Sequence, residues 1–387
     1  MPEIKIKVVH IHTDYKFVYN TSSFFEGSYY DNQIVIIQNN EPYYGKFKDK
    51  AILFTTKKRD IKKLINICKN SDLVVLYDLN PIKVRIVLSL PKEIKIAWRF
   101  FGYELYQRRK DIFVSEKSIQ FNTKPRKIYK QQILSLVKQI YRLARFSLQP
   151  KSLFFKAIAR INYMLVLSTE EYKLLNIYWP DLPEFIQLPH RYFDESLTPP
   201  SLGIKMKHEK PVIVIGNSRS WYNNHIDLIE MIDRMPYKQN YQFIFLFNYG
   251  PEGYYARVVR ERVKGKPYYK LIDEFIPPEE FEVFYQKISA LVINGYRQMA
   301  GANIFMAMEK GVKVYLNDKN VFMQWLKNEG LTVFSINDFE KDLQGGNIQF
   351  DMETARKSIE QLKAFSKRYT KEDFQNELYH KLTNSMK

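Results

Sequence analysis

The chain has 387 residues, long for a single domain of roughly 100–200 residues, so two domains are expected. Apolar residues make up 45% and aromatic residues 15%, enough for packed cores and enough to exclude disorder over most of the length. Sixty Lys and Arg stand against 42 Asp and Glu, and the formal charge of +18 calls for an anionic partner: nucleic acid, an anionic bilayer or a phosphorylated substrate.

The first 105 residues alternate short apolar runs with helical spacing. KIKVVHIH (5–12), QIVIIQ (33–38), AILFTT (51–56), DLVVLYDL (72–79) and IKIAWRFF (94–101) read as strands, and 58–70 reads as a helix. Such alternation predicts a parallel sheet covered by helices on both faces. Cys68, the single cysteine, lies in that helical run. It excludes an internal disulfide framework, fits a reducing compartment and reads as a buried core thiol. The opening MPEIKIKVVHIH has no signal-peptide apolar stretch, and no run approaches ~18 uninterrupted apolar residues. A cytosolic protein, or one bound to a cytosolic surface, is expected.

Residues 117–169 carry eleven Lys or Arg and no Asp or Glu. Within them, 133–148 repeats apolar residues at helical spacing with Lys138, Arg142 and Arg145 on the other face, and 152–161 continues the pattern. A basic amphipathic helix of this kind suits an anionic membrane surface. A solvated basic face over an ordinary core stripe, or a nucleic-acid contact, produces the same pattern. YMLVLS (163–168) closes the first domain as a buried strand, and the polar 190–210, with Pro199 and Pro200, reads as a linker.

A second α/β unit begins at PVIVIGNS (211–218). Strands follow at 241–248, 269–273, 290–294, 312–317 and 332–336, with helices at 224–235, 278–288, 302–311 and 320–330. Asp351 is placed to cap a last helix over 352–368. The expected domains are therefore 1–195, with a basic amphipathic segment over 117–162, then 205–350, then helices over 351–387. Two such domains facing each other would bind ligands at the carboxyl ends of their strands.

Two glycine-bearing turns in the second domain could carry chemistry. In 212–232 a strand ends in Gly216-Asn217-Ser218 and a helix begins near Asn224. Glycine permits a sharp turn and a close approach, and a helix start presents N–H groups to an anion. Without the G-x-G-x-x-G spacing or a P-loop lysine, the same turn also reads as purely structural. In 290–317, Arg297 and Gln298 precede Gly301 and Asn303 at a helix start. A guanidinium there suits a diphosphate, and a surface ion pair is its plain alternative. Phe275 and Ile276 at a strand end could hold a nucleobase. In the first domain His10, His12, Asp14 and Glu104 are the groups able to take a proton from an acceptor hydroxyl. No D-x-D motif and no Cys/His metal spacing occurs, so no metal is expected and protein cations would have to stabilise a departing diphosphate.

These segments, in this order, resemble the TDP-N-acetylfucosamine:lipid II N-acetylfucosaminyltransferase family. The resemblance spans most of the chain and rests on GNS…NNH (216–225), the run over 274–281, YRQMAGAN (296–303) and GVKVYLN (311–317). In the first domain, WRFFGYELY (98–106) and HIHTDYKF (10–17) are similar to the family's Trp…Gly-x-Asp-Leu-Tyr and His…Asp-Lys-Phe signatures. The resemblance implies the GT-B fold of two Rossmann-like domains across a cleft. It also implies an inverting, metal-independent transfer of a TDP-activated deoxy-amino sugar, with no cofactor besides the donor. The acceptor would be a lipid-linked saccharide received by the first domain and the basic segment 124–160, through which the enzyme would be peripheral on the inner face of a bacterial plasma membrane. Carried onto this chain, Gly216, Asn217, Ser218, Asn224, Phe275, Ile276, Arg297, Gln298, Gly301 and Asn303 would hold the donor. Arg297 would neutralise the leaving diphosphate. Glu104 is the first choice for the base, then Asp14, then His10. Glu104 stands where the family has Asp, which moves the carboxylate outward by one methylene and bears on the acceptor or the sugar. The rival readings are a GT-B transferase using UDP or GDP sugars, a basic nucleic-acid-binding protein and an inactive scaffold.

Overall fold

The computed structural model describes residues 5–14, 18, 23–27, 29–38, 51–122, 151–190 and 210–384. The expected 133–148 helix and nearly all of the 190–210 linker lie outside them. The chain divides into two compact units, each built on one parallel sheet.

The first sheet holds β1 (Ile6–His12), β2 (Tyr30–Ile37), β3 (Ala51–Phe54), β4 (Leu73–Tyr77), β5 (Lys95–Arg99), β6 (Tyr163–Val166) and β7 (Glu184–Gln187). Their order across the sheet is β3-β2-β1-β4-β5-β6-β7, and every pairing is parallel. All residues of β4 and β6 are buried, which is why these strands read as continuous apolar runs. The helix Lys58–Cys68 forms as expected, and burial of Cys68 pushes its thiol up to about 12. A helix over Pro81–Ser89 escapes periodicity because it buries Lys83 along with Val84, Ile86 and Val87 while leaving Leu88 exposed. Asn80 caps it, its Oδ1 accepting from the N–H groups of Ile82 and Lys83, with Pro81 in the first turn.

The basic stretch reappears in part as the helix Lys151–Arg160, which buries one face and leaves Leu153 exposed. Phe154, Ala157 and Ile158 are buried, the helix packs on Pro81–Ser89, and the Arg160 guanidinium binds the carbonyls of Pro91 and Ile94. The buried side of this one helix is a core contact, because apolar faces gain from mutual burial. Among the described residues no helix is long and apolar enough to cross a membrane.

The second sheet holds β8 (Val212–Ile215), β9 (Gln242–Leu246), β10 (Tyr269–Ile272), β11 (Ala290–Ile293), β12 (Lys313–Leu316) and β13 (Phe334–Ser335), in the order β10-β9-β8-β11-β12-β13, again all parallel. His225–Arg234, Pro278–Gln286, Gly301–Glu309 and Val321–Asn328 match the expected helices. Tyr254–Val263 and Ile336–Gly345 are additional. Asp351 caps Met352–Ser366, its Oδ1 accepting from the N–H of Thr354 at 2.8 Å.

Two segments sit apart from the expected domains. Residues 105–122 belong to the second unit rather than the first. There Ser115 N–H donates to Asn224 Oδ1 at 3.0 Å, Ser115 Oγ donates to Asp227 at 2.6 Å, and Lys117 pairs with Glu230. The C-terminal helix Lys371–Asn384 belongs to the first unit. Phe374, Leu378 and Leu382 are buried with Ile6, Phe25 and Tyr30, and Gln375 Nε2 donates to the carbonyls of Phe24 and Glu26.

Candidate functional site

In an open parallel sheet, two neighbouring strands whose crossovers leave in opposite directions open a crevice at their carboxyl ends. That reversal falls between β8 and β11 in the second unit and between β1 and β4 in the first. The loops after β8 and β11 sit at the first of these and the end of β1 at the second, whereas Glu104 follows β5, and Phe275 and Ile276 follow β10 at the edge of the second sheet.

After β8 the backbone turns at Gly216, whose φ is +69°. A Cβ on Gly216 would lie 2.7 Å from His225 Nε2 and 3.1 Å from Asn223 Oδ1, so this glycine is required both by conformation and by close approach. Asn223 binds the loop from inside. Its Nδ2 donates to Ser218 O (3.0 Å) and Ser218 Oγ (3.1 Å), and its Oδ1 accepts from Asn217 N–H (3.3 Å). Asn224 takes the left-handed conformation, φ +49°, and its Nδ2 donates to Asn294 O at 2.8 Å. Asn294 answers with Nδ2 to Asn224 O, and its Oδ1 accepts from Asn317 Nδ2 at 2.7 Å. Asparagines at the ends of β8, β11 and β12 thus tie three loops together. The start of His225–Arg234 is largely occupied by protein groups: Tyr255 OH accepts the His225 N–H, and Asp227 holds Ser115.

The start of Gly301–Glu309 shares the left-handed entry without a side-chain cap, at Ala300 (φ +59°), and differs in having no acidic residue in its first turn. Asn303 Nδ2 donates to Tyr285 OH at 2.9 Å. Arg297, three residues before Ala300, is half-buried and forms no ion pair among the described residues, and its Nε has no hydrogen-bond partner among them. Its guanidinium lies 4.3 Å from the ring of Tyr222 and 5.3 Å from that of Tyr106. Gln298 is half-buried beside it. Lys319, after β12, lies over Tyr296 at 4.6 Å. Beyond β10, Phe275 is 77% exposed and Ile276 half-buried, so Phe275 offers a ring face to whatever approaches.

In the first unit the two histidines of β1 differ sharply. His10 Nε2 lies 2.9 Å from Asn32 Oδ1, to which it donates, leaving Nδ1 to accept from Tyr77 OH at 2.9 Å. Both nitrogens are engaged in this tautomer, and burial lowers the ring to about 4. His12 is fully buried, stacked on Tyr77 at 3.8 Å, with neither nitrogen partnered among the described residues. Burial lowers it to about 2. Asp14 is half-buried. Glu104 is 1% exposed, its Oε1 accepting from Trp98 Nε1 (3.3 Å) and Phe101 N–H (3.4 Å). Burial, with the charge of Asp78 added, pushes its carboxyl up to about 7.

Sequence reading did not single out Asp78 and Lys83. Asp78 follows β4 with φ +76°, a conformation a non-glycine residue holds only where its surroundings impose it. Lys83 is fully buried, 2.8 Å from Asp78 Oδ1, and also donates to the carbonyl of Tyr77 and to Thr13. Thr13 Oγ1 donates to Asp78 Oδ2 at 3.1 Å, and Asn80 N–H to Oδ1 at 3.2 Å. A lysine five residues after an aspartate at a strand end is the only sequence signal for this pair. The linking asparagines Asn294 and Asn317 and the ring of Tyr222 were also not selected, whereas Tyr106 ends the WRFFGYELY run (98–106) that was.

No family model and no curated protein matches the sequence. Comparison of structures does find relatives. Sucrose-phosphate synthase from Thermosynechococcus elongatus matches with TM-score 0.65 at 11% identity, over 98% of this chain and 100% of that one. Anabaena HepE, in complex with UDP and glucose, matches with TM-score 0.62 at 12% identity, over 98% and 100%. The lipopolysaccharide outer core galactosyltransferase WaaB matches with TM-score 0.59 at 12% identity, over 97% and 100%. At such identities the likeness is one of fold, and with the two switch-point sheets it establishes that the chain has the GT-B fold of two Rossmann-like α/β domains.

Proposed function

We propose that the chain is a glycosyltransferase that moves a deoxy-amino sugar of the N-acetylfucosamine kind from a TDP carrier to a lipid-linked saccharide, with inversion and without a metal. The observation that carries the transferase reading is Arg297. It is a half-buried guanidinium without an ion-pair partner among the described residues, at a switch point and beside a helix start that has no side-chain cap. Such a group is stabilised by an anion, and a nucleoside diphosphate presents oxygens that a guanidinium binds two at a time. Structural neighbours solved with UDP support this class of donor. The TDP carrier and the amino sugar rest on the motifs at 98–106, 216–225, 274–281 and 296–303.

In the reaction, an acceptor hydroxyl oxygen bonds to the anomeric carbon as the bond from that carbon to the diphosphate oxygen breaks. The electron pair leaves with the nucleoside diphosphate, whose growing charge Arg297 stabilises. The hydroxyl proton passes to a first-domain base. Glu104 stands first, because a carboxyl near 7 is matched to proton transfer near neutral pH. Asp14 is second, and the engaged ring of His10 leaves it third. Gly216, Asn217, Ser218 and Asn224 shape the donor loop, Phe275 and Ile276 serve the base, and Gln298, Gly301 and Asn303 flank the phosphates.

The test is binding and transfer. Thermal stabilisation by TDP, UDP, GDP and CMP, each with and without magnesium, ranks the carriers. Selective stabilisation by TDP without magnesium, abolished in Arg297→Ala, is the expected result. A response to UDP or GDP alone would keep the transferase and discard the carrier. An acceptor of another class has one supporting observation: a neighbour solved with UDP-glucose and DNA, alongside the +18 charge of this chain. Salt-sensitive binding to mixed-sequence DNA at low ionic strength would favour it. Association with an inner membrane face is tested by pelleting with phosphatidylglycerol vesicles and release by salt.

A further inference from the structure

Most arginines beside a carboxylate use their N–H edge on that carboxylate, and Arg297 is held in another way. Its guanidinium lies within cation–π range of two rings, Tyr222 at 4.3 Å and Tyr106 at 5.3 Å. A cation–π contact uses the flat face of a guanidinium and leaves its in-plane N–H donors for other partners. A carboxylate would occupy those donors. An aromatic seat therefore fixes an arginine while keeping its donors for a ligand.

Both rings are themselves immobilised. Tyr106 is fully buried and meets Phe113 edge-on at 4.5 Å. Tyr222 is 8% exposed, and its carbonyl oxygen would lie 3.2 Å from a Cβ on Gly295, so the Arg297 loop runs directly against it. Tyr106 comes from the 105–122 segment, which lies in sequence between two strands of the first sheet. Ser115 and Lys117 pin it to the second unit, and Lys110 lies over Trp221 at 5.1 Å.

We propose that Tyr106 and Tyr222 are positioning residues that seat Arg297 for the donor diphosphate, so that the 105–122 segment is part of the donor site. The proposal rests on the donor reading above and adds one residue, Tyr106, from outside the expected donor domain. Loss of either ring frees the guanidinium to rotate, so diphosphate binding weakens although every charge is retained.

Titration of TDP and of UDP into the full chain by calorimetry tests this. Tyr106→Leu and Tyr222→Leu should each weaken the better ligand about 5- to 30-fold, the range of a desolvated cation–π contact. Tyr106→Phe and Tyr222→Phe, which keep the ring, should stay within about 2-fold. Combined with Arg297→Ala, the leucine changes should add almost nothing, because the group they position is gone. Tyr106 is buried, so Tyr222→Leu and its coupling to Arg297→Ala decide the matter if Tyr106→Leu does not fold. If Arg297→Ala weakens binding while the leucine variants bind normally, or add their loss in full to it, the seating role is refuted and the donor reading survives. If Arg297→Ala binds TDP and UDP as the parent does, the donor role of Arg297 itself fails.

Discussion

Gly216→Ala tests whether the second-unit turn is built for close approach or merely for a left-handed bend. The substitution meets two penalties. At φ +69° an alanine pays the left-handed cost, about 1–2 kcal/mol. Its Cβ would also sit 2.7 Å from His225 Nε2, and neither His225 nor Asn223 has space to yield, since both are fully buried. Overpacking of this kind costs about 1–3 kcal/mol, so the total is about 2–5 kcal/mol. Gly265 is the control. Its φ is +74°, with nothing within 4 Å of a new Cβ, so Gly265→Ala meets only the first penalty of about 1–2 kcal/mol. In calorimetric melting, a unit of this size shifts by about 2–4 °C per kcal/mol, so the two variants should separate by several degrees. Gly216→Ala should also weaken nucleotide binding, whereas Gly265→Ala should not. Equal melting shifts in the two variants would refute the close-approach argument and leave only the bend.

The buried histidines predict acid sensitivity. His10, His12 and His225 are lowered by burial to about 4, 2 and 3, so between pH 6.5 and 4 the unfolded chain binds three protons that the folded protein does not. Their stability contribution is present above pH 6.5 and is lost as pH falls, by up to roughly 4 kcal/mol per unit. Glu104, raised to about 7, acts oppositely between pH 4.5 and 7, because there the folded state holds a proton that the unfolded chain has released. Urea midpoints measured from pH 7.5 to 5 should therefore fall, and should fall more steeply in Glu104→Gln; a flat profile would contradict the burial of these rings. Lys83→Met removes one partner of a buried pair and leaves Asp78 with its remaining donors. A loss of about 3–5 kcal/mol is expected, largely restored by adding Asp78→Asn, and denaturant unfolding of the two variants measures both. No recovery in the double variant would mean that Lys83 acts through packing rather than charge.

Local chemistry alone determined much of this protein. Continuous apolar runs announced β1, β4, β5 and β8 because strands buried on both faces need no alternation. Gly216 and Asp351 revealed a turn and a cap because each need is met within a few residues. Arg297 was legible as a cation before a helix start. What depends on elements distant in sequence was not. The helix Lys151–Arg160 carries the pattern of a membrane-surface helix, and only its packing on Pro81–Ser89 shows where that stripe goes. The assignment of 105–122 to the second unit, the return of Lys371–Asn384 to the first, the Asp78–Lys83 pair and the two-ring seat of Arg297 all arise when surfaces meet in three dimensions. Periodicity tells which face of an element is apolar; the tertiary fold decides which neighbour buries it, because burial stabilises any complementary face without direction.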